Sequence, residues 1–378
     1  MRKNAQKQAR ELLILLPMRK RLRAPAWARS FERQFLSMTR LAAKAGSRAL
    51  VRVLKPVIDK PKLLPDAGSW IPGVVTGAAG ARRFRLFRPP DVEPGERLPL
   101  IVMLHGCGQD AASFAASTRM NRVALRERFL VLYPEQDRLA NVQGCWNWYG
   151  TDTGRAYGEA ALIMKAIDQV CLLHPVDKTR VAVAGLSAGA SMAALLVTRH
   201  PGRFSALIMH SGIPPGTAHS GLTALTAMRG KRSAAPLAVD PRVMATVWPP
   251  LLVIHGDADA VVSPANGRAA VQVWAQAAGA RADAARTVRR GQRYPMTVVD
   301  FKRGGCTAAC LVTVRGLAHA WSGGAANQPY SDARGPDASR MTWAFAAKQF
   351  RIPEPARAAA ASRRAAAKSP DCPAPDRA

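Results

Sequence analysis

The segment Val181-Ala182-Val183-Ala184-Gly185-Leu186-Ser187-Ala188-Gly189 runs from a continuous apolar stretch into a Gly-x-Ser-x-Gly turn, and the small and apolar residues from Ala188 to Arg199 continue as a helix. A strand, a tight turn and a helix in that order force the serine into strained backbone geometry and expose its hydroxyl above a sheet. The two glycines remove side chains that would collide with neighbouring backbone. Ser187 is therefore the candidate nucleophile.

Working outward, Leu98–Leu104, Phe129–Tyr133, Ala206–Met209 and Leu251–Ile254 are further continuous apolar runs, Leu311-Val312-Thr313-Val314 reads as another strand, and helical patterns such as Gly158–Cys171 and Ala188–Arg199 lie between the runs. Strands that are apolar on both faces and alternate with helices imply a mainly parallel sheet covered on both sides, an α/β fold. The alternating Arg82-Phe84-Leu86 pattern reads as an edge strand. In such sheets the chemistry sits at the carboxyl ends of the strands.

A neutral serine needs a base, and the base needs a group to orient it. Leu251–Ile254 runs into His255-Gly256-Asp257-Ala258-Asp259-Ala260, which offers two carboxylates. Asp259 is preferred because it lies deeper in the turn, with Asp257 left to support that turn or to cap the next helix. His319, in the Gly-rich loop Gly316–Gly324, is the histidine on a loop after Asp259 and is the candidate base. Tetrahedral oxyanions also need donors. The backbone N–H groups of Ala188 and Cys107 are assigned, the latter because Gly106 and Gly108 allow close backbone approach.

The chain has 378 residues, 48% of them hydrophobic, enough to bury a large core, and a formal net charge of +30. Charge of that size favours anionic surfaces, but +13 lies in residues 1–66 and +3 in residues 351–378. The N-terminal segment reads as a basic amphipathic arm with a Pro-punctuated connector reaching Gly73, residues 67–350 as the folded body, and the Ala/Arg/Pro-rich end as a disordered tail. No run approaches the roughly 18 apolar residues of a membrane span. Leu12–Leu16 is short for a signal peptide and lacks a small-residue cleavage site. The six cysteines contain no Cys-x-x-Cys pair, so no zinc site is expected, and nothing calls for a metal or organic cofactor.

The motifs His105-Gly106-Cys107-Gly108-Gln109, Gly144-Cys145-Trp146-Asn147-Trp148-Tyr149, Gly185–Gly189, His255–Asp259 and Gly316–Gly324 follow one another in an order that resembles the poly(3-hydroxybutyrate) depolymerase family of esterases, which is related to feruloyl and acetylxylan esterases. The resemblance covers roughly residues 74–350. It implies an α/β-hydrolase fold, Ser187 as nucleophile, Asp259 as orienting acid, His319 as base, and the Cys107 and Ala188 N–H groups as oxyanion hole. It maps Trp146, Asn147 and Trp148 to substrate contact, with Trp321 beside the histidine as a further substrate-binding candidate. It also suggests disulfides Cys107–Cys145 and Cys306–Cys310, and an extracellular or periplasmic location, with the cytoplasm as alternative. The expected substrates are short-chain or oligomeric 3-hydroxyalkanoate-like esters. A feruloyl or acetylxylan esterase is the rival enzyme. A basic-arm module for anionic polymers or membrane surfaces is the rival of another class, with no specific nucleic acid as partner.

Overall fold

The structure is a computed structural model, and it describes residues 68–237 and 248–351. The expectations for the N-terminal arm and the C-terminal tail lie outside the described residues. The body opens with β1 (Ser69–Gly77) and β2 (Gly80–Arg88), followed by β3 (Leu98–Leu104), α1 (Ala111–Thr118), α2 (Met120–Glu127) and β4 (Leu130–Pro134). Next come α3 (Arg155–Leu173), β5 (Val176–Leu186), α4 (Ala188–Arg199), β6 (Ala206–His210), α5 (Gly221–Met228), β7 (Leu251–Gly256) and α6 (Ala265–Ala278). The final part holds β8 (Arg281–Ala282), β9 (Arg286–Val288), β10 (Met296–Arg303), β11 (Cys306–Val314), β12 (Trp321–Ser322), β13 (Ser331–Asp332) and α7 (Ala338–Phe350).

One sheet carries the order β1-β2-β4-β3-β5-β6-β7-β11-β10-β8, with β9 beside β10. The strands from β4 to β11 along this order pair in parallel, whereas β1, β2, β8, β9 and β10 add antiparallel margins. The sequence of β3 explains the layering. Leu100, Val102 and Leu104 enter a core on one face with residues of α3, α4 and α6. Ile101 and Met103 enter the opposite core with Phe114, Met120 and Val123 of the first two helices and Ala338 and Ala346 of α7. A period-two strand covered on both faces must be apolar at every position, and each such side chain contributes about 1.5–3 kcal/mol on burial. This three-layer arrangement is the α/β-hydrolase fold.

Three expectations need correction. Arg82-Phe84-Leu86 lies in β2, which is one strand in from the edge, because β1 pairs along its whole length from Ser69↔Arg88 to Gly77↔Gly80. The stretch Trp70–Gly73, expected as connector, belongs to that edge strand, where Pro72 costs no interior ladder bond. Cys306 and Cys310 are free thiols. Both stand on β11, four residues apart on one strand, which separates their Cα atoms by about 13 Å, and a disulfide needs less than about 7 Å.

Candidate active site

β5 ends at Leu186, and Ser187 follows with φ 57° and ψ −120°, a left-handed backbone that costs a non-glycine residue about 1–3 kcal/mol. Three hydrogen bonds hold it there: the Ser187 N–H donates to the His210 carbonyl at 2.9 Å, and its own carbonyl accepts from the Ser191 N–H at 3.1 Å and the Ser191 hydroxyl at 3.3 Å. The flanking glycines are required by crowding. A Cβ on Gly185 would sit 2.4 Å from the carbonyl of Gly189, and one on Gly189 would sit 2.1 Å from the Leu104 oxygen. Among the described residues the Ser187 hydroxyl makes no hydrogen bond, so Ser187 and His319 are not joined.

His319 and Asp259 are joined. The two loops follow β11 and β7, parallel neighbours whose carboxyl ends lie on the same sheet edge as the end of β5. Asp259 Oδ2 lies 2.8 Å from His319 Nδ1 and 3.4 Å from His255 Nε2, while Oδ1 accepts the Val261 and Val262 N–H groups, each at 2.9 Å. Burial opposes ionisation, but the hydrogen bonds from His255 and His319 outweigh it and hold this carboxyl far below the usual carboxylate range. The exposed Asp257 instead accepts the Gly316 N–H at 2.6 Å, at the start of the His319 loop.

The loop after β3 is set by His105. Gln136 donates its N–H to His105 Nε2 at 3.0 Å, which leaves the hydrogen on Nδ1 for the Gly106 carbonyl at 2.8 Å. Burial pushes the His105 pKa down to about 4, so the ring is neutral. In a trans peptide the carbonyl and the next N–H point oppositely, so fixing the Gly106 carbonyl directs the Cys107 N–H away from His105. Among the described residues neither the Cys107 nor the Ala188 N–H has an intramolecular acceptor. The Cys107–Cys145 disulfide and the bond from Gly108 N–H to the Gln143 carbonyl at 2.9 Å tie this loop to the aromatic segment.

The expected substrate-binding side chains are placed differently. Trp146 and Trp321 are fully buried. Trp146 lies against the His105 ring at 5.4 Å, and Trp321 meets Phe114 edge-on and stacks on His210. Both are core residues, Trp146 packed in the cluster on one face of the sheet and Trp321 in the cluster on the other. Asn147, 1% exposed, donates from its side chain to Glu159 Oε1 at 2.6 Å and from its backbone to Oε2 at 2.9 Å. Arg82 reaches the same carboxylate at 3.4 Å. Asn147 therefore anchors the aromatic loop to α3 and is not a cleft residue. Trp148 keeps a small exposed edge beside the half-buried Tyr149.

Residues 83–294, more than half of the chain, match the family described as Esterase PHB depolymerase. The chain belongs to that family. Poly(3-hydroxyalkanoate) depolymerase C of Paucimonas lemoignei is 33% identical over 187 residues, 46% of this chain and 44% of that enzyme, so the match spans less than half of its length. Acetylxylan esterase A of Emericella nidulans is 27% identical over 203 residues, 50% of this chain and 66% of that enzyme. The solved acetyl xylan esterase from Aspergillus awamori shares the fold, with TM-score 0.56 and 19% identity over 67% of this chain and 94% of that one.

Sequence reasoning quoted His105 and His255 inside motifs without assigning them a part, and it passed over His210. The available signal was position: each stands at the carboxyl end of a buried parallel strand, where a polar residue on an apolar run needs a hydrogen-bonding reason.

Proposed function

We propose that the protein hydrolyses carboxylic esters through an acyl-enzyme on Ser187. His319 takes the hydroxyl proton as the oxygen attacks the ester carbonyl, and the Cys107 and Ala188 N–H groups receive the oxyanion. His319 then protonates the leaving alcohol, and water activated by the same ring releases the acid. Asp259 holds Nδ1–H and stabilises the imidazolium, so Nε2 is the nitrogen that exchanges protons with substrate. The reading is carried by the 2.8 Å contact of Asp259 with His319 on loops at the edge where the Ser187 turn lies. Proton transfer requires Ser187 and His319 to draw together, a closing common when substrate enters.

Short-chain or oligomeric 3-hydroxyalkanoate-like esters are the proposed substrates, supported by family membership and by the likeness to the Paucimonas depolymerase. The likeness to acetylxylan esterase A favours a second reading, acetyl-ester cleavage on plant polysaccharide. Rates on hydroxybutyrate oligomers, acetylated xylan and methyl ferulate, together with the mass of the acyl group trapped on Ser187, distinguish them. An extracellular or periplasmic site of action is supported by the Cys107–Cys145 disulfide. None of the described helices is long and apolar enough to cross a membrane. Contact of the basic residues 1–66 with an anionic surface is proposed from their charge alone.

A further inference from the structure

His210 ends β6 in register with Leu186 of β5, and its backbone and ring reach two different parts of the site. Its carbonyl accepts the Ser187 N–H at 2.9 Å. Its ring Nε2 accepts the N–H of Ser322, three residues beyond His319, at 3.1 Å. The ring is fully buried and stacked on Trp321 with centroids 5.0 Å apart and planes at 26°. Because Nε2 is an acceptor, the ring hydrogen sits on Nδ1 and is directed to Ser211 Oγ at 3.2 Å.

The protonation state fits this use. Burial, with smaller contributions from the neighbouring His255 and His319 rings, pushes the His210 pKa down to about 3, against an opposing effect of Asp259. A neutral ring has one acceptor nitrogen, and here it is spent on Ser322; a charged ring would have none. The His319 loop is held at its start by Asp257 on Gly316 and by the bond from Ala258 N–H to the Leu317 carbonyl at 3.2 Å. At its far end the Ser322 N–H, itself buried, is met by His210.

We propose that His210 is a positioning residue that sets the separation of nucleophile and base, holding the Ser187 turn through its carbonyl and the His319 loop through its ring. The proposal rests on the assignment of Ser187 and His319 under Proposed function. His210 touches neither substrate nor the reacting atoms. It acts by geometry, and misplacement of a base by about 1 Å costs up to about a hundredfold in rate.

The test compares His210→Leu, which removes the acceptor, with His210→Gln, whose amide oxygen can reach the Ser322 N–H. Active sites are first counted by stoichiometric release of nitrophenolate from a nitrophenyl phosphonate, so that misfolded protein is excluded from kcat. The proposal predicts that His210→Leu lowers kcat per titrated site ten- to a hundredfold on a short-chain nitrophenyl ester with KM within about twofold, and that His210→Gln restores most of it. Equal loss in both variants, or full kcat per site in His210→Leu, overturns it. If His210→Leu does not fold, His210→Asn, whose shorter amide stops near the Nδ1 position, replaces it, and parity of Asn with Gln is the contrary result. A wild type that the phosphonate does not label at Ser187 would instead refute the nucleophile assignment.

Discussion

Asp259 and His319 meet through one hydrogen bond, Oδ2 to Nδ1 at 2.8 Å, although 60 residues separate them in sequence. Asp257, two residues before Asp259, is committed to the Gly316 N–H instead. Two carboxylates in one turn thus take unequal parts. Asp259→Asn should lower kcat by about a thousandfold to ten-thousandfold, because an amide can hold the imidazole in the wrong tautomer. Asp257→Asn keeps an amide oxygen that can accept the Gly316 N–H, loses only the charge on an exposed bond, and should keep kcat within about tenfold. Steady-state kinetics of both variants on one ester check the assignment, and a reversed order of losses would sink it.

The Cys107–Cys145 disulfide fastens the loop bearing a proposed oxyanion donor. It closes a segment of 38 residues, for which chain entropy predicts about 3–4 kcal/mol of stability. Reduction should therefore lower the melting temperature and, below that temperature, reduce kcat more than it raises KM. Thermal unfolding and kinetics with and without reductant measure both effects, with Cys107→Ala/Cys145→Ala as the permanent form.

Stability should also fall with acid in a defined window. His105 and His210 have folded pKa values of about 4 and about 3, below the ordinary 6.5, chiefly through burial. Below pH 6.5 the unfolded chain binds protons that the folded chain refuses, so stability is lost as pH falls from 6.5 toward 4. Each histidine contributes up to about 1.4 kcal/mol per pH unit. Asp259, with its depressed pKa, adds a further loss once pH drops below its unfolded value. Urea unfolding at pH 7, 6 and 5 should show a progressive decline, and a flat response would contradict the neutral, buried assignment of these rings.

The central layer was legible because parallel strands buried on both faces leave a continuous apolar signature, as in Leu98–Leu104 and Leu251–Ile254. The margins were less so: alternation marked β2 as a strand but did not show that β1 lies outside it. β10 alternates buried and exposed residues at its start and carries Asp300, Lys302 and Arg303, so no continuous apolar run marks it and its pairing partners decide its state. In the site, Ser187, Asp259 and His319 stood out because their order and loop positions are dictated by the sheet. Two tryptophans misled for a physical reason: Trp146 in the aromatic loop and Trp321 in the His319 loop have the composition of a binding surface, but only tertiary packing decides whether an aromatic ring faces a cleft or the core. Asn147 likewise cannot be distinguished from a substrate contact until Glu159, twelve residues later on α3, is seen to hold it.

The most direct measurement of the central claim is kcat/KM of Ser187→Ala on a short-chain nitrophenyl ester, with folding verified by an unchanged circular dichroism spectrum. The account predicts a loss of at least about ten-thousandfold, leaving only residual catalysis by the remaining site. A folded variant retaining more than about a hundredth of the wild-type value would contradict it.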